Sequence, residues 1–424
     1  MNASGSGSGT TRRVRSRVGP GATQRAEPLE VDALLTDPGT QIIVCCGSGG
    51  VGKTTTSAAL ALRAAEQGRK VVVLTIDPAR RLAQSMGIEA LDNTPRPVAD
   101  IDSAAGGSLD AMMLDMKRTF DEVVLSQSTP EKAEQILANP FYIALSSSFA
   151  GTQEYMAMEK LGQIYRDKVT GEDDKGRSTG AGGTYDLIVV DTPPSRSALD
   201  FLDAPERLSA FLDGRFVRLM LAPAKGPARL MTAGFGLITN ALTKILGAQF
   251  LKDLQIFVTA LDSVFGGFRQ RAQQTYSLLQ ADGTAFLVVA APEPDALREA
   301  AFFVERLSED AMPLAGLIVN RASPAPSGRL SAEEAVAGAA RLQEEGGAAQ
   351  AGTAQAGNGL TAGLLRLHAD RARLVEREGA LRDRFATAHP QVPTAVVPAL
   401  AGDVHDLDGL RRVGSLLADG RGQA

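Results

Sequence analysis

Tryptophan is absent from this 424-residue chain, and cysteine and histidine are almost absent. The two cysteines, Cys45 and Cys46, are adjacent. That excludes a disulfide scaffold, a zinc ribbon and an iron–sulfur cluster built within one chain. His368, His389 and His405 lie far in sequence from the cysteines, so no mixed His/Cys metal site is expected. Basic charge is not in excess either: 44 Lys and Arg against 49 Asp and Glu leave a net charge of −5. A nucleic-acid surface would need a basic surplus or stripe, so no nucleic-acid partner is expected. No run reaches the roughly 20 apolar residues needed to span a bilayer. The nearest, Leu230–Thr243, is closed off by Arg229 and Lys244, which leaves peripheral membrane contact at most.

What is present is an ordinary globular balance, 44% apolar and 22% charged. Wholesale disorder and fibrous structure are excluded on that ground. At roughly 150 residues per unit the length suggests two or three domains, although one elaborated α/β domain absorbs the same length.

Residues 1–40 read as a flexible tail. Ser and Gly alternate at 4–9, and Arg12, Arg13, Arg15, Arg17 and Arg25 precede the first acidic residue, Glu27. Export would need an apolar stretch of about 7–15 residues after the basic ones. None follows, so the expected location is cytoplasmic. Residues 167–184 are Gly-rich and charged and read as a loop. Residues 323–360, rich in Ala, Gly, Gln, Ser and Pro, read as a mobile insertion. Within it Ser331–Glu345 forms a short helix, with Ser331 as N-cap and Glu334 closing a capping box.

Between these segments strand and helix alternate. Gln41–Cys46, Lys70–Ile76, Tyr185–Asp191, Thr284–Ala290, Leu314–Asn320 and Thr394–Val397 are short aliphatic runs, continuous as in strands covered on both faces. Helical patterns follow several of them, at Lys53–Gln67, Pro294–Leu307 and Leu407–Leu417. The rhythm predicts an α/β fold with a doubly wound, mostly parallel sheet. Two apolar stretches, about 105–165 and 200–280, fall outside it and read as a helical subdomain laid over the sheet.

The most specific motif is Gly47-Ser48-Gly49-Gly50-Val51-Gly52-Lys53-Thr54-Thr55, which fits G-x-x-x-x-G-K-[ST]. A strand runs into it and a helix leaves it, as a phosphate loop requires. Glycine permits the positive φ angles and close backbone approach by which such a loop wraps a phosphate. Its amides and the helix N-terminus then face the negative charge. Lys53 reaches the β- and γ-phosphates and Thr54 ligates Mg²⁺ in this reading. Two carboxylates, Asp77 and Asp191, end strands at the same side, where open α/β sheets place ligands. One orients an attacking water and the other holds Mg²⁺.

With these residues the chain resembles the ArsA/Get-type P-loop ATPases, on GSGGVGKTT, DPARRLA, DTPPS, Asn320 in GLIVNR and Pro398 in VVPALAGDV. The likeness, closest to the actinobacterial anion-transporting ATPase branch, runs from about residue 41 to 418. It implies a dimeric ATPase with nucleotide near the subunit interface. It makes Asp77 the water-positioning aspartate of one switch segment and places Asp191 at the start of the other. Asn320 reads the adenine edge, Pro398 lines the base pocket, and Glu293 approaches nucleotide from across the interface. Glu293 also suits a surface helix N-terminus. Gly151–Tyr155 resembles the segment that couples the switches to a client-binding helical region. Seven of ten methionines (112, 113, 116, 156, 158, 220 and 231) fall in the stretches assigned to that region. They serve either an adaptable groove or ordinary core filling.

The sequence departs from the family pattern at three points. Ser48 stands where the family has a lysine that reaches the partner's phosphates. A paralogue retaining that lysine would complete this chain's site as a heterodimer, the alternative being a slow homodimer. No CxxC zinc clasp is present, and the metalloid-sensing cysteines of arsenite pump ATPases are missing. The function expected is an ATP-driven switch handling a hydrophobic or membrane-protein client. The alternatives are a low-turnover ATP-binding scaffold subunit and a ParA/MinD-like positioning ATPase, for which Leu407–Leu417 would serve as a membrane helix or simply pack on the sheet.

Overall fold

The computed structural model describes residues 27–77, 81–140, 142–143, 152–166, 184–193, 267, 270–326, 328, 330–348 and 353–420. Among these residues eight strands form one sheet: β1 (Ile42–Cys46), β2 (Lys70–Thr75), β3 (Arg96–Pro97), β4 (Ser108–Met113), β5 (Leu187–Asp191), β6 (Thr284–Ala290), β7 (Leu314–Ala322) and β8 (Thr394–Pro398). Their spatial order is β3-β4-β2-β5-β1-β6-β7-β8. Every pairing is parallel except β3 with β4. β1 lies between β5 on one side and β6 on the other, so its C-terminal end opens at the point where the winding reverses. That is where a doubly wound sheet places a ligand.

The continuous apolar runs explain the layering. Ile42, Val44 and Cys46 enter one core, while Ile43 and Cys45 enter the other. Both faces are therefore buried and both need a helical cover. One face is covered by α2 (Lys53–Glu66) and α10 (Leu407–Asp419), with α1 (Val31–Thr36) beside them. The other is covered by α4 (Met116–Gln127), α6 (Thr152–Ile164), α7 (Pro294–Glu309) and the end of α9 (Thr353–Ala388). α3 (Arg81–Ser85) adds to the first cover and α5 (Pro130–Leu137) to the second, while α8 (Ala332–Ala348) packs on α9. In α10, Leu410, Val413 and Leu417 are buried in the core shared with α2. Packing against the body thus accounts for the apolar spacing that a membrane helix would also show. Among the described residues no helix is long and apolar enough to cross a membrane.

Several expectations are corrected. The tail does not extend to residue 40: from Glu27 onward the chain is tied to the body. The N–H of Thr394 donates to Glu27 O at 2.8 Å, and Leu29, Val31 and Leu35 are buried. Arg69 fixes the following turn by donating to the carbonyls of Leu35, Asp37 and Thr40. The helical stretch assigned from about 105 begins with a strand, Ser108–Met113, paired in parallel with β2. Residues 323–360 are not a loop throughout. They contain α8 and the start of α9, which pack as a hairpin through Ala332, Ala335 and Ala369. Small side chains let the two helices approach, and that contact overrides the low helix propensity of the glycines. The capping box is present as read: Ser331 N–H donates to Glu334 Oε2 at 2.8 Å, and Glu334 N–H to Ser331 Oγ at 3.2 Å.

Residues 167–183 and most of 200–280 lie outside the described residues, although 270–279 are helical. Of the methionines, Met112, Met156 and Met158 are fully buried in the sheet core, with Met116 packed against it, so these fill core. Met220 and Met231 lie outside the described residues.

Candidate functional site

β1 ends at Cys46 and the chain turns at once through Gly47–Gly52 into α2. Gly47 has φ +147°, and a Cβ there would lie 2.1 Å from Val289 O on β6. Gly52, the N-cap of α2, has φ +92°, and a Cβ there would meet Asn320 Nδ2 at 2.3 Å. Neither position accepts a side chain, so the glycines are dictated by the packing of the loop between β6 and β7. Lys53 opens α2, is buried, and donates its ammonium to Gly47 O at 2.9 Å and Ser48 O at 2.8 Å. Burial lowers the Lys53 pKa, and the nearby Asp191 carboxylate opposes that shift. A buried ammonium held only by carbonyl oxygens is primed to gain from an incoming anion.

Asp191, at the end of β5, is completely buried and accepts at Oδ2 from Thr54 Oγ1 at 2.8 Å and from Thr75 Oγ1 at 2.9 Å. Its Oδ1 is buried with no hydrogen-bond partner. Desolvation pushes its pKa up to about 6, against the two hydroxyl bonds and Lys53. The Thr75 hydroxyl also accepts from Asp77 N–H at 3.2 Å, so the ends of β2 and β5 are linked through one side chain. Asp77 is half-buried and close enough to raise the pKa values of both Lys53 and Asp191.

On the other side of the loop, Asn320 at the end of β7 donates Nδ2 to Val51 O at 2.8 Å. Pro398 ends β8 beside it, in register with Ala322 and half-buried. Glu293 is the exposed N-cap of α7, just beyond the end of β6, and its side chain makes no capping bond. The structure thus brings Gly47, Gly49, Gly50, Val51, Gly52, Lys53, Thr54, Thr55, Asp77 and Asp191 together at one end of the sheet. Asn320 touches the loop directly through Val51 O, whereas Glu293 is exposed at the start of α7. Residues 78–80 and 194–200, in the segments expected to act as switches, residue 151 and the side chains of 152–154 lie outside the described residues.

Sequence reasoning missed Thr75 and Arg321, and quoted Thr192 in DTPPS without giving it a role. Thr192 donates Oγ1 to Cys45 O at 2.8 Å, closing β5 onto β1. Arg321 donates Nη1 to Gly50 O at 2.9 Å. A polar residue at a strand end two positions before Asp77 was a readable signal for Thr75. Nothing in the sequence pointed to Arg321. Cys45 and Cys46 are buried, and burial pushes both thiols up to about 12.

Comparison with known proteins bears on this arrangement. The model of a family described as "Anion-transporting ATPase" matches residues 40–337. Among curated relatives, ATPase GET3 of Malassezia globosa is 27% identical over 190 residues, 44% of this chain and 49% of the relative. ATPase GET3 of Candida glabrata is 29% identical over 188 residues, 43% of this chain and 50% of the relative. An ATPase ASNA1 homolog of Cryptosporidium parvum is 25% identical over 275 residues, 65% of this chain and 63% of the relative. The chain thus spans between about half and under two thirds of the length of these relatives.

Proposed function

The chain belongs to the anion-transporting ATPase family, and from that premise we propose that it binds ATP in the loop Gly47–Thr55 and hydrolyses it to ADP and phosphate. The observation that carries this reading is the convergence of Lys53, Thr54 and Asp191 on one buried spot beneath the loop, within 2.8–2.9 Å of their partners.

The residues fit Mg²⁺. A threonine hydroxyl and a carboxylate are hard oxygen donors, and Asp191 Oδ1 is buried with a lone pair unspent. Thr54 and Asp191 would hold the ion, Asp191 through water. When bound, Mg²⁺ neutralises charge on the β- and γ-phosphates. The chain's own groups do the rest. Loop amides and the α2 N-terminus bind the phosphates, and Lys53 exchanges its carbonyl partners for phosphate oxygens. Asp77 orients the water that attacks the γ-phosphorus as the bond to the bridging oxygen breaks. With Nδ2 spent on Val51 O, Asn320 keeps Oδ1 as an acceptor for the exocyclic amine of adenine, and Pro398 offers the base an apolar wall.

Turnover drives a switch through the segments after Asp77 and Asp191. The client is a hydrophobic or membrane-protein segment, and the working form is a cytoplasmic dimer. Ser48, whose Oγ is buried without a partner, supplies no charge to a second subunit. The partner in this reading is a paralogue that keeps a lysine there, with Glu293 facing its nucleotide; a homodimer is the alternative.

The test measures phosphate release and ATP affinity for wild type, Lys53→Ala and Asp77→Asn. Lys53→Ala should lose binding, and Asp77→Asn should keep affinity within about threefold while losing at least about 100-fold in turnover, the scale of one catalytic group. An Asp77→Asn chain that hydrolyses ATP at the wild-type rate would remove the proposed role.

A further inference from the structure

Arg321 follows Asn320 at the end of β7 with φ 62°, a left-handed backbone that an arginine adopts only under constraint. The register of β7 on β8 shifts between Val319 and Ala322, so a bulge carries residue 321 out of the ladder. Both flanks hold it there. Asn320 donates to Val51 O at 2.8 Å. Beyond it, Ser323 donates both its N–H and its Oγ to the buried carboxylate of Glu378 on α9, at 2.7 Å each. The strained residue directs an otherwise exposed guanidinium onto one atom of the phosphate loop, Gly50 O, at 2.9 Å.

Across a trans peptide, C=O and N–H point in opposite directions. A donor fixed on Gly50 O therefore aims Val51 N–H to the other side of the loop, and Asn320 on Val51 O does the same for Gly52 N–H. Gly50 itself has φ +78°, with nothing within 4 Å of where its Cβ would stand, so no packing at Gly50 fixes this peptide. The buried Val51 side chain anchors its far end, and the hydrogen bond from Arg321 sets the direction of its carbonyl.

We infer that Arg321 is a positioning residue for the phosphate loop: it locks the Gly50–Val51 peptide so that Val51 N–H is presented to the β-phosphate of a nucleoside di- or triphosphate. This rests on the nucleotide reading given above. Preordered donors spare the ordering cost on binding, so the effect falls on affinity. The bond serves ground state and transition state alike, so it falls on KM and not on kcat.

The experiment titrates Mg²⁺–ADP into the full chain by calorimetry and measures KM and kcat for ATP, for wild type, Arg321→Ala and Arg321→Lys. Arg321→Ala should weaken ADP by about tenfold and raise KM similarly, the value of one charge-assisted hydrogen bond at a partly exposed site, with kcat within about twofold. Arg321→Lys, which keeps a cationic donor, should recover about threefold or more, and the melting temperature of both variants should match wild type. An Arg321→Ala chain that binds ADP within twofold of wild type overturns the inference, as does a loss that Lys does not rescue or that follows a fall in melting temperature. If wild type itself binds no ADP, the nucleotide reading fails and this inference falls with it.

Discussion

Thr54 donates its hydroxyl to Asp191 Oδ2 at 2.8 Å, joining the first turn of α2 to the end of β5 across 137 residues of sequence. This bond, with that from Thr75, is what solvates a fully buried carboxylate. The two bonds do not restore what water provided, as the rise of its pKa to about 6 shows.

Asp191→Asn should therefore stabilise the nucleotide-free chain. The amide keeps an acceptor for Thr54 and Thr75 and carries no charge to bury. A carboxylate raised by about two pKa units is worth about 3 kcal/mol of relief at neutral pH, with some of it lost to poorer hydrogen bonding. The same change should abolish Mg²⁺-dependent turnover, because the hard anionic donor is gone. Urea denaturation at pH 7 beside a phosphate-release assay checks both. A variant that is less stable than wild type yet still hydrolyses ATP would contradict this account of Asp191.

How much of this was legible in the sequence depended on whether a residue's role is local. The phosphate loop was, because its glycines, Lys53 and Thr54 act within nine positions. β1, β2, β5, β6, β7 and β8 were, because strands buried on both faces must be continuously apolar. β4 was not: SLDAMM carries an aspartate in mid-run and ends in methionines, and its strand state comes from pairing with β2. α9 was hidden by its glycines, since the alanine contact with α8 that sustains it is tertiary. Asn320 was named from resemblance for the base, but its bond to Val51 O arises only when β7 lies beside the loop. Arg321 was invisible because a bulge and a left-handed φ, not a pattern, aim its side chain.

Cys45 and Cys46 should be inert in the folded chain. Both are buried, and burial holds their thiols at about 12. At pH 8 about one in ten thousand would be thiolate even with free access, and the thiolate is the reactive form. A disulfide reagent should label neither cysteine in the native chain over an hour and both in denaturant. Stoichiometric labelling of the native chain would reopen the possibility that these residues sense a thiophilic ligand.

The N-terminal helix supplies a pH-dependent contribution whose sign follows from its ion pair. Arg63 on α2 donates Nε to Asp32 Oδ1 at 2.5 Å and Nη2 to Oδ2 at 2.7 Å. The hydrogen bond from Arg63 holds the Asp32 carboxyl below its ordinary value of 3.8. A depressed carboxylate stabilises the fold above its unfolded pKa and loses that contribution as pH falls through the folded one. Asp32 is 46% exposed, so screening keeps the value small, about 0.5–1 kcal/mol at pH 7. Asp32→Asn should be less stable than wild type by that amount at pH 7, and the gap should narrow as pH falls below 3.8, where Asp32 protonates in the unfolded chain, and close below the lower folded value. Denaturant midpoints for the two chains at pH 7 and pH 3 measure the gap directly, each pair compared at the same pH so that other titrating groups cancel. A gap that is the same at both values would mean that Asp32 acts through packing and its uncharged hydrogen bonds, not through its charge.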